Sequence, residues 1–140
     1  MDLHLINTGS GGALWNNALD CYFGDCRPTA TPLDWGTVGD TSDNPQLIQD
    51  NIASTVPEMI DIADASPGTY SPWMHFYGDH GVGPGGVDAT VTVTYGGVEI
   101  YQKSAHFSAV NQTFDTADIT LAPTTSSINP VEQYGTTTPM

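Results

Sequence analysis

Apolar and polar side chains alternate most cleanly from Val87 to Tyr95, where Val87, Ala89, Val91, Val93 and Tyr95 interleave with Asp88, Thr90, Thr92 and Thr94. A period of two carried by β-branched residues predicts a strand with one buried face and one wet face. Gly96-Gly97 follows at once, and two glycines supply the positive φ angles that a two-residue hairpin turn requires. Val98 to Lys103 then reads as the returning strand. Three more strands are expected: a short one in which Leu3 and Leu5 alternate with His4, one over Thr69 to Tyr77, and a late one over Thr113 to Leu121. Pro72 has no N–H to give to a ladder, so it puts the Thr69 strand at a sheet edge or at a bulge.

Between Ala13 and Ala65 the alternation breaks down. Pro28, Pro32, Gly36, Gly39 and Pro45 punctuate a turn-rich, acid-rich stretch that reads as a long functional or metal-clamped loop. A rival reading makes Pro45 to Met59 an amphipathic helix, because Leu47, Ile48, Ile52, Val56 and Met59 fall near helical spacing and Asp43 is placed to cap it. From Ala122 to Met140 Thr, Ser and Pro dominate, the composition of a linker or a disordered end. The expected division is therefore one folded domain over 1–121 and a tail over 122–140.

Composition narrows the class. Only Arg27 and Lys103 are basic, against 16 acidic residues, for a formal charge of −14. Such a surface repels a phosphate backbone and an anionic membrane, and leaves many carboxylates in want of a cation. Charged residues are just 13% of the chain, while Thr, Ser, Asn, Gly and Pro are plentiful, which disfavours helices and favours an all-β fold. No run of 18 apolar residues is present to span a bilayer. The acidic, Lys-poor, Thr-rich character points to a secreted or cell-surface protein, and Met1 to Thr8 lack the pattern of a signal peptide, as in a mature or excised form. In that setting Cys21 and Cys26 are expected to form a disulfide around a small turn. Zinc would need further ligands from His4, His75, His80 or His106, and no local ligand spacing supplies them.

No serine sits in a G-x-S-x-G elbow, and there is no H-E-x-x-H pair, phosphate-cradling glycine loop or EF-hand spacing. Asp43, Asp50, Glu58 and Asp61 could in principle act in pairs on a sugar, but a solvated or metal-bound loop explains them more simply. An enzyme is not expected. Trp15, Tyr22, Trp35, Trp73, Phe76 and Tyr77 are candidates for stacking on sugar rings, with a hydrophobic core as the competing role. His75 and His80 flank Phe76-Tyr77-Gly78-Asp79, where a metal or a sugar could be held.

Several separated pieces of the chain, in order, carry a family likeness. They are Asp2-Leu3-His4-Leu5, Cys21-Tyr22, Asp34-Trp35-Gly36, Asn44-Pro45, Leu47, Asp50, Pro57-Glu58, Ile60, Pro67-Gly68-Thr69-Tyr70 and His75-Phe76-Tyr77. Over roughly Met1 to Tyr101 the chain resembles YfaP-like bacterial surface domains. The resemblance implies an extracellular β-sandwich, often appended to larger surface or von Willebrand A-containing proteins, with acidic loops suited to calcium. Where that family runs through an acid-rich stretch into Gly-Tyr-Gly-Pro-Glu, this chain has Asp50 to Glu58 with fewer acids and glycines. The implied oxygen ligands are Asp50, Asn51 and Glu58, approached by Asp2 from the first strand; Asp43 and Asp61 complete the candidate calcium set. The resemblance also weighs against the helix, since it implies a loop leading into a strand there.

The fold expected is a single antiparallel β-sandwich with Leu3, Leu5, Val91, Val93, Ile100, Ile119 and Leu121 in its core. The function expected is a non-catalytic structural or assembly module of a surface protein or fibre. Self-association would run through the tail, paired with a sheet edge of its own subunit or of a neighbour. The alternative is a carbohydrate-binding adhesive module, recognisable by an exposed coplanar aromatic platform.

Overall fold

The computed structural model describes residues 1–29, 33–52, 56–81 and 83–136. Among these the regular structure is all-β apart from one 3-10 turn at Thr8–Ser10. The strands are β1 (Asp2–Ile6), β2 (Asp20–Cys21), β3 (Gln46–Gln49), β4 (Met59–Asp61), β5 (Gly68–His75), β6 (Val87–Tyr95), β7 (Val98–Phe107), β8 (Gln112–Leu121) and β9 (Ser126–Thr136). Five form an antiparallel sheet in the order β2-β1-β5-β8-β9; β3–β4 and β6–β7 are separate antiparallel hairpins.

The β6–β7 hairpin forms where the alternation placed it. Gly96 and Gly97 both take positive φ, 58° and 79°, and Tyr95 pairs with Val98 across the turn. The returning strand runs on to Phe107, beyond the Lys103 expected, because Ala105 and Phe107 extend the buried face. In β5, Pro72 pairs with Leu5 on one side while the ladder to β8 slips between Tyr70 and Trp73. The proline therefore sits at a bulge in an interior strand rather than at an edge.

The seven core residues expected from the sequence all lie in or against two apolar clusters. Ile119 and Leu121 join Leu47, Trp35 and Tyr70, with Leu5, Val93 and Ile100 packed alongside; Val91 joins Met74, Phe76, Phe107 and Phe114, with Leu3 alongside. Each cluster contains side chains of the five-stranded sheet and of a hairpin.

The rival helical reading fails, and of the two readings of the tail the linker gives way to pairing with a sheet edge of its own subunit. No helix occupies Pro45 to Met59: Leu47 is 2% exposed, but Ile48, Ile52, Val56 and Met59 stand in solvent, so no helical stripe is buried. Asp43, the supposed cap, instead accepts the Thr37 N–H. Residues 53–55 of that segment, like Pro32 earlier, lie outside the described residues. The segment read as a linker or disordered end is in large part a strand of the main sheet: β9 pairs with β8 of its own subunit, Ile128 opposite Ile119 and Tyr134 opposite Phe114. Threonine and serine serve a strand as readily as a linker once apolar partners recur on one face. Residues 137–140 lie outside the described residues.

Candidate functional site

Directly paired residues of an antiparallel sheet share a face, and on one face of β1, β5 and β8 the pairs are polar. One row reads Asp2, His75, Thr113; the next reads His4, Trp73, Asp115. Asp2, His4, His75 and Thr113 are buried, and Trp73 and Asp115 are half-buried. Each of the six keeps a buried polar atom without a hydrogen-bond partner: Asp2 Oδ2, His4 Nε2, both ring nitrogens of His75, Thr113 Oγ1, Trp73 Nε1 and Asp115 Oδ1. Further along, the face is satisfied, since the Ser71 hydroxyl donates to Asp118 and the Thr8 hydroxyl donates to the Thr69 carbonyl.

Trp15, Asp20 and Tyr22, from the segment that follows β1, cover this face and form its roof. Asp20, fully buried beside Ile6, holds His4 Nδ1 at 2.9 Å and accepts the Trp15 N–H at 2.8 Å. Tyr22 stacks on His4 at 5.0 Å between centroids, and Trp15 meets His4 and His75 edge-on at 4.8 and 5.2 Å. The Cys21–Cys26 disulfide closes the turn that carries Tyr22 and Asp25, with Cα atoms 5.2 Å apart.

Burial shifts several carboxyls upward. Asp25 is pushed to about 6, chiefly by burial, with Asp20 adding repulsion. Asp115 is pushed to about 6 by burial and by Asp118. Glu58 is pushed to about 8 by burial, with Asp2 and Asp50 adding repulsion and the Leu3 N–H opposing it. That N–H lies on a stretch of β1 that β2 does not reach, and it donates to Glu58 Oε2 at 2.7 Å.

The candidate calcium residues are dispersed. Asp2 lies on the polar face, its Oδ2 3.8 Å from His75 Nδ1. Asp2 and Asp50 lie close enough to Glu58 to repel its ionised carboxylate. Asn51 donates to the Val56 carbonyl, and Asp61 is exposed on β4 opposite Gln46. Asp43 clamps its own loop, accepting from Thr37 N at 2.7 Å and Ser66 Oγ at 3.1 Å. Among the described residues no three His, Cys, Asp or Glu side chains form a group able to hold a metal ion. Of the four histidines, His4 and His75 lie 5.9 Å apart between centroids, whereas His106 pairs with Asp88 on the β6–β7 hairpin and His80 contacts Tyr77.

Asp20, Thr113 and Asp115 carry no candidate role in the sequence, while His4 enters there only as a possible zinc ligand and Trp73 only as a sugar-stacking ring. The available signal was the alternation itself, which put His4, Thr113 and Asp115 on a common side of their strands. What the alternation does not supply is the cover, because Trp15 and Tyr22 come from elsewhere in the chain. No family model, curated protein or solved structure matches the chain, so the likeness to YfaP-like domains rests on the ordered motifs alone. The disulfide is mildly suggestive of an oxidising, extracellular compartment.

Proposed function

We propose that this chain is a non-catalytic structural module of an extracellular protein, a two-layer β-sandwich of the YfaP-like kind. The observation that carries the reading is how the turn-rich segment uses its polar groups. Asp43 and Asn44 accept the backbone N–H groups of Thr37 and Trp35. The Trp35 indole donates to the Ala18 carbonyl, and Leu47 N–H donates to the Cys26 carbonyl. Side chains that bind their own backbone make a loop stiff, as a load-carrying spacer needs.

Assembly, in this reading, proceeds by exchange of β9 between copies. The outer edge of β9 suits simple strand addition poorly, since Pro130 interrupts it, Glu132 takes a positive φ of 55° and the ladder to β8 slips between Asp115 and Ala117. Exchange would instead reproduce the β8–β9 register in a neighbour. Light scattering over a concentration series tests this. Oligomers that disappear when 122–140 is deleted are expected; a full-length chain that is monomeric throughout removes assembly from the reading and leaves a spacer.

A further inference from the structure

Next to the residues that cover the polar face, two aromatic rings lie near each other and partly in solvent. Phe23 and Tyr77 are each 37% exposed, with centroids 6.2 Å apart and ring planes 31° from parallel. Tyr95 and Tyr134 are exposed as well, but Tyr134 packs on Phe107 and Phe114 and Tyr95 lies at the tip of the β6–β7 hairpin.

The pair is held from below and from the side. Phe23 lies within the disulfide-closed turn, and its neighbour Tyr22, 5.7 Å away, is stacked on the buried His4. Tyr77 follows β5 directly, and its hydroxyl is 3.1 Å from His80 Nε2. His80 has a φ of 36°, a region that residues other than glycine seldom occupy, and Asp79 ties off the same turn by accepting the Gly81 N–H. An uncommon backbone conformation that sets an imidazole against an exposed phenol is an invitation to look for a ligand.

We propose that Phe23 and Tyr77, flanked by His80 and Asp79, form a binding platform for a neutral saccharide. A pyranose offers a C–H face that lies on aromatic rings and a rim of hydroxyls that both donate and accept. The two partly exposed rings supply the apolar half, and the Tyr77 hydroxyl with His80 Nε2 beside it, followed closely in the chain by Asp79, supplies the polar half. Charge selects among sugars: at −14, with Lys103 already paired to Glu132, the surface repels uronic and sialic acids and admits neutral units. The site is distinct from the structural role above: β9 does not contribute to it, and the Phe23 ring, although carried by the turn-rich segment, is not one of the groups that clamp that segment's backbone.

The test is a titration of the full chain, followed by two-dimensional NMR, with three neutral probes: cellohexaose, maltohexaose and N-acetylglucosamine hexamer. At least one probe is expected to shift the amides of Phe23, Gly24, Tyr77 and Gly78. Phe23→Ala and Tyr77→Ala should each weaken that binding about ten-fold or more, with the melting temperature checked to show that the fold persists. Tyr95→Ala should leave it unchanged. No shifts with any of the three probes overturns the proposal, as does binding that survives the double variant. Shifts that map instead to Tyr95 or β9 also overturn it, and none of these outcomes touches the oligomeric state by which the structural reading is judged.

Discussion

On one face of the five-stranded sheet Met74, Phe114, Ile119 and Leu121 belong to clusters that include the two hairpins. On the other, Asp2, His4, His75 and Thr113 are as deeply buried, but beneath a loop. The apolar face gains from every contact it makes, because burial of carbon surface is favourable without directional conditions. The polar face gains only where each donor and acceptor is matched, and a buried polar atom without a partner costs about 1–3 kcal/mol. His4 Nδ1 is matched by Asp20, whereas His4 Nε2 and both nitrogens of His75 are not. The stability of the domain therefore belongs to the apolar face and hairpins, and the roof over the polar face is the part expected to open first.

The largest effect that would break this comparison comes from exchanging neighbours on β8. Phe114 faces the apolar cluster, and Phe114→Ala should cost about 3–5 kcal/mol in urea unfolding, through lost burial and the cavity left behind. Thr113, one residue earlier on the opposite face, carries an unpartnered hydroxyl. Thr113→Val should leave stability within about 1 kcal/mol of the parent or raise it, because it removes an unmatched polar atom at nearly constant volume. Equal losses at the two positions would show that Thr113 has a partner and that the faces are energetically alike.

The roof supplies the next contrast. The disulfide closes a loop with a sequence separation of only 5, so its removal in the Cys21→Ser, Cys26→Ser double variant should cost on the order of 2 kcal/mol. The loss should be local. Hydrogen exchange is expected to quicken at Trp15 and Tyr22 and to stay unchanged along β6 and β7. Uniform quickening would mean that roof and hairpin open as one unit.

What was legible in the sequence follows the same divide. The β6–β7 hairpin could be read because its turn glycines and its alternation are neighbours in the chain. The core residues were readable for a similar reason: apolar residues at a period of two can face only one way. Asp43 and Asp50 could not be told apart, since a carboxylate that clamps Thr37 N–H and one left in solvent have the same composition signal. The alternation of His4 with Leu3 and Leu5 could not show what covers His4; Trp15 and Tyr22 return over β1 to pack on it. The tail misled because Thr and Ser are shared by linkers and strands, and because Ile128 and Tyr134, opposite Ile119 and Phe114, share a face on which Pro130 and Glu132 stand between them and break the apolar pattern.

Proton linkage sharpens the comparison further, since the carboxyls with strongly raised values are Asp25 in the roof, Asp115 on the polar face and Glu58 at the edge of β1. All three bind protons more tightly when folded, Asp25 and Asp115 to about 6 and Glu58 to about 8. A carboxyl raised in this way favours the folded state below its unfolded value, near 4, and that advantage is lost as pH rises through the folded value. Stability should therefore decline from about pH 5 to pH 8 by these groups. Glu58→Gln, which keeps an acceptor for the Leu3 N–H, should flatten the upper part of that decline and be the more stable protein at alkaline pH. A parent that grows more stable between pH 6 and 8 would show Glu58 to be ionised and matched.

The smallest expected effect concerns calcium, and it depends on the same proton. Asp2 and Asp50 act on Glu58, and Asp2 Oδ2 and Glu58 Oε1 are both buried without partners. They do not already form a cage, so an ion would have to draw the β3–β4 connection toward β1, and part of its binding energy would be consumed in doing so. It would also have to displace the proton on Glu58, whose value is about 8. Calcium should then raise the melting temperature slightly at alkaline pH, where Glu58 is ionised, and less at pH 6, where the proton holds the site; mass action on the folded state gives the sign. Glu58→Gln should abolish the difference between the two pH values. Melting curves that coincide in excess calcium and in chelator at alkaline pH would leave the proton as the cation this edge of the polar face binds.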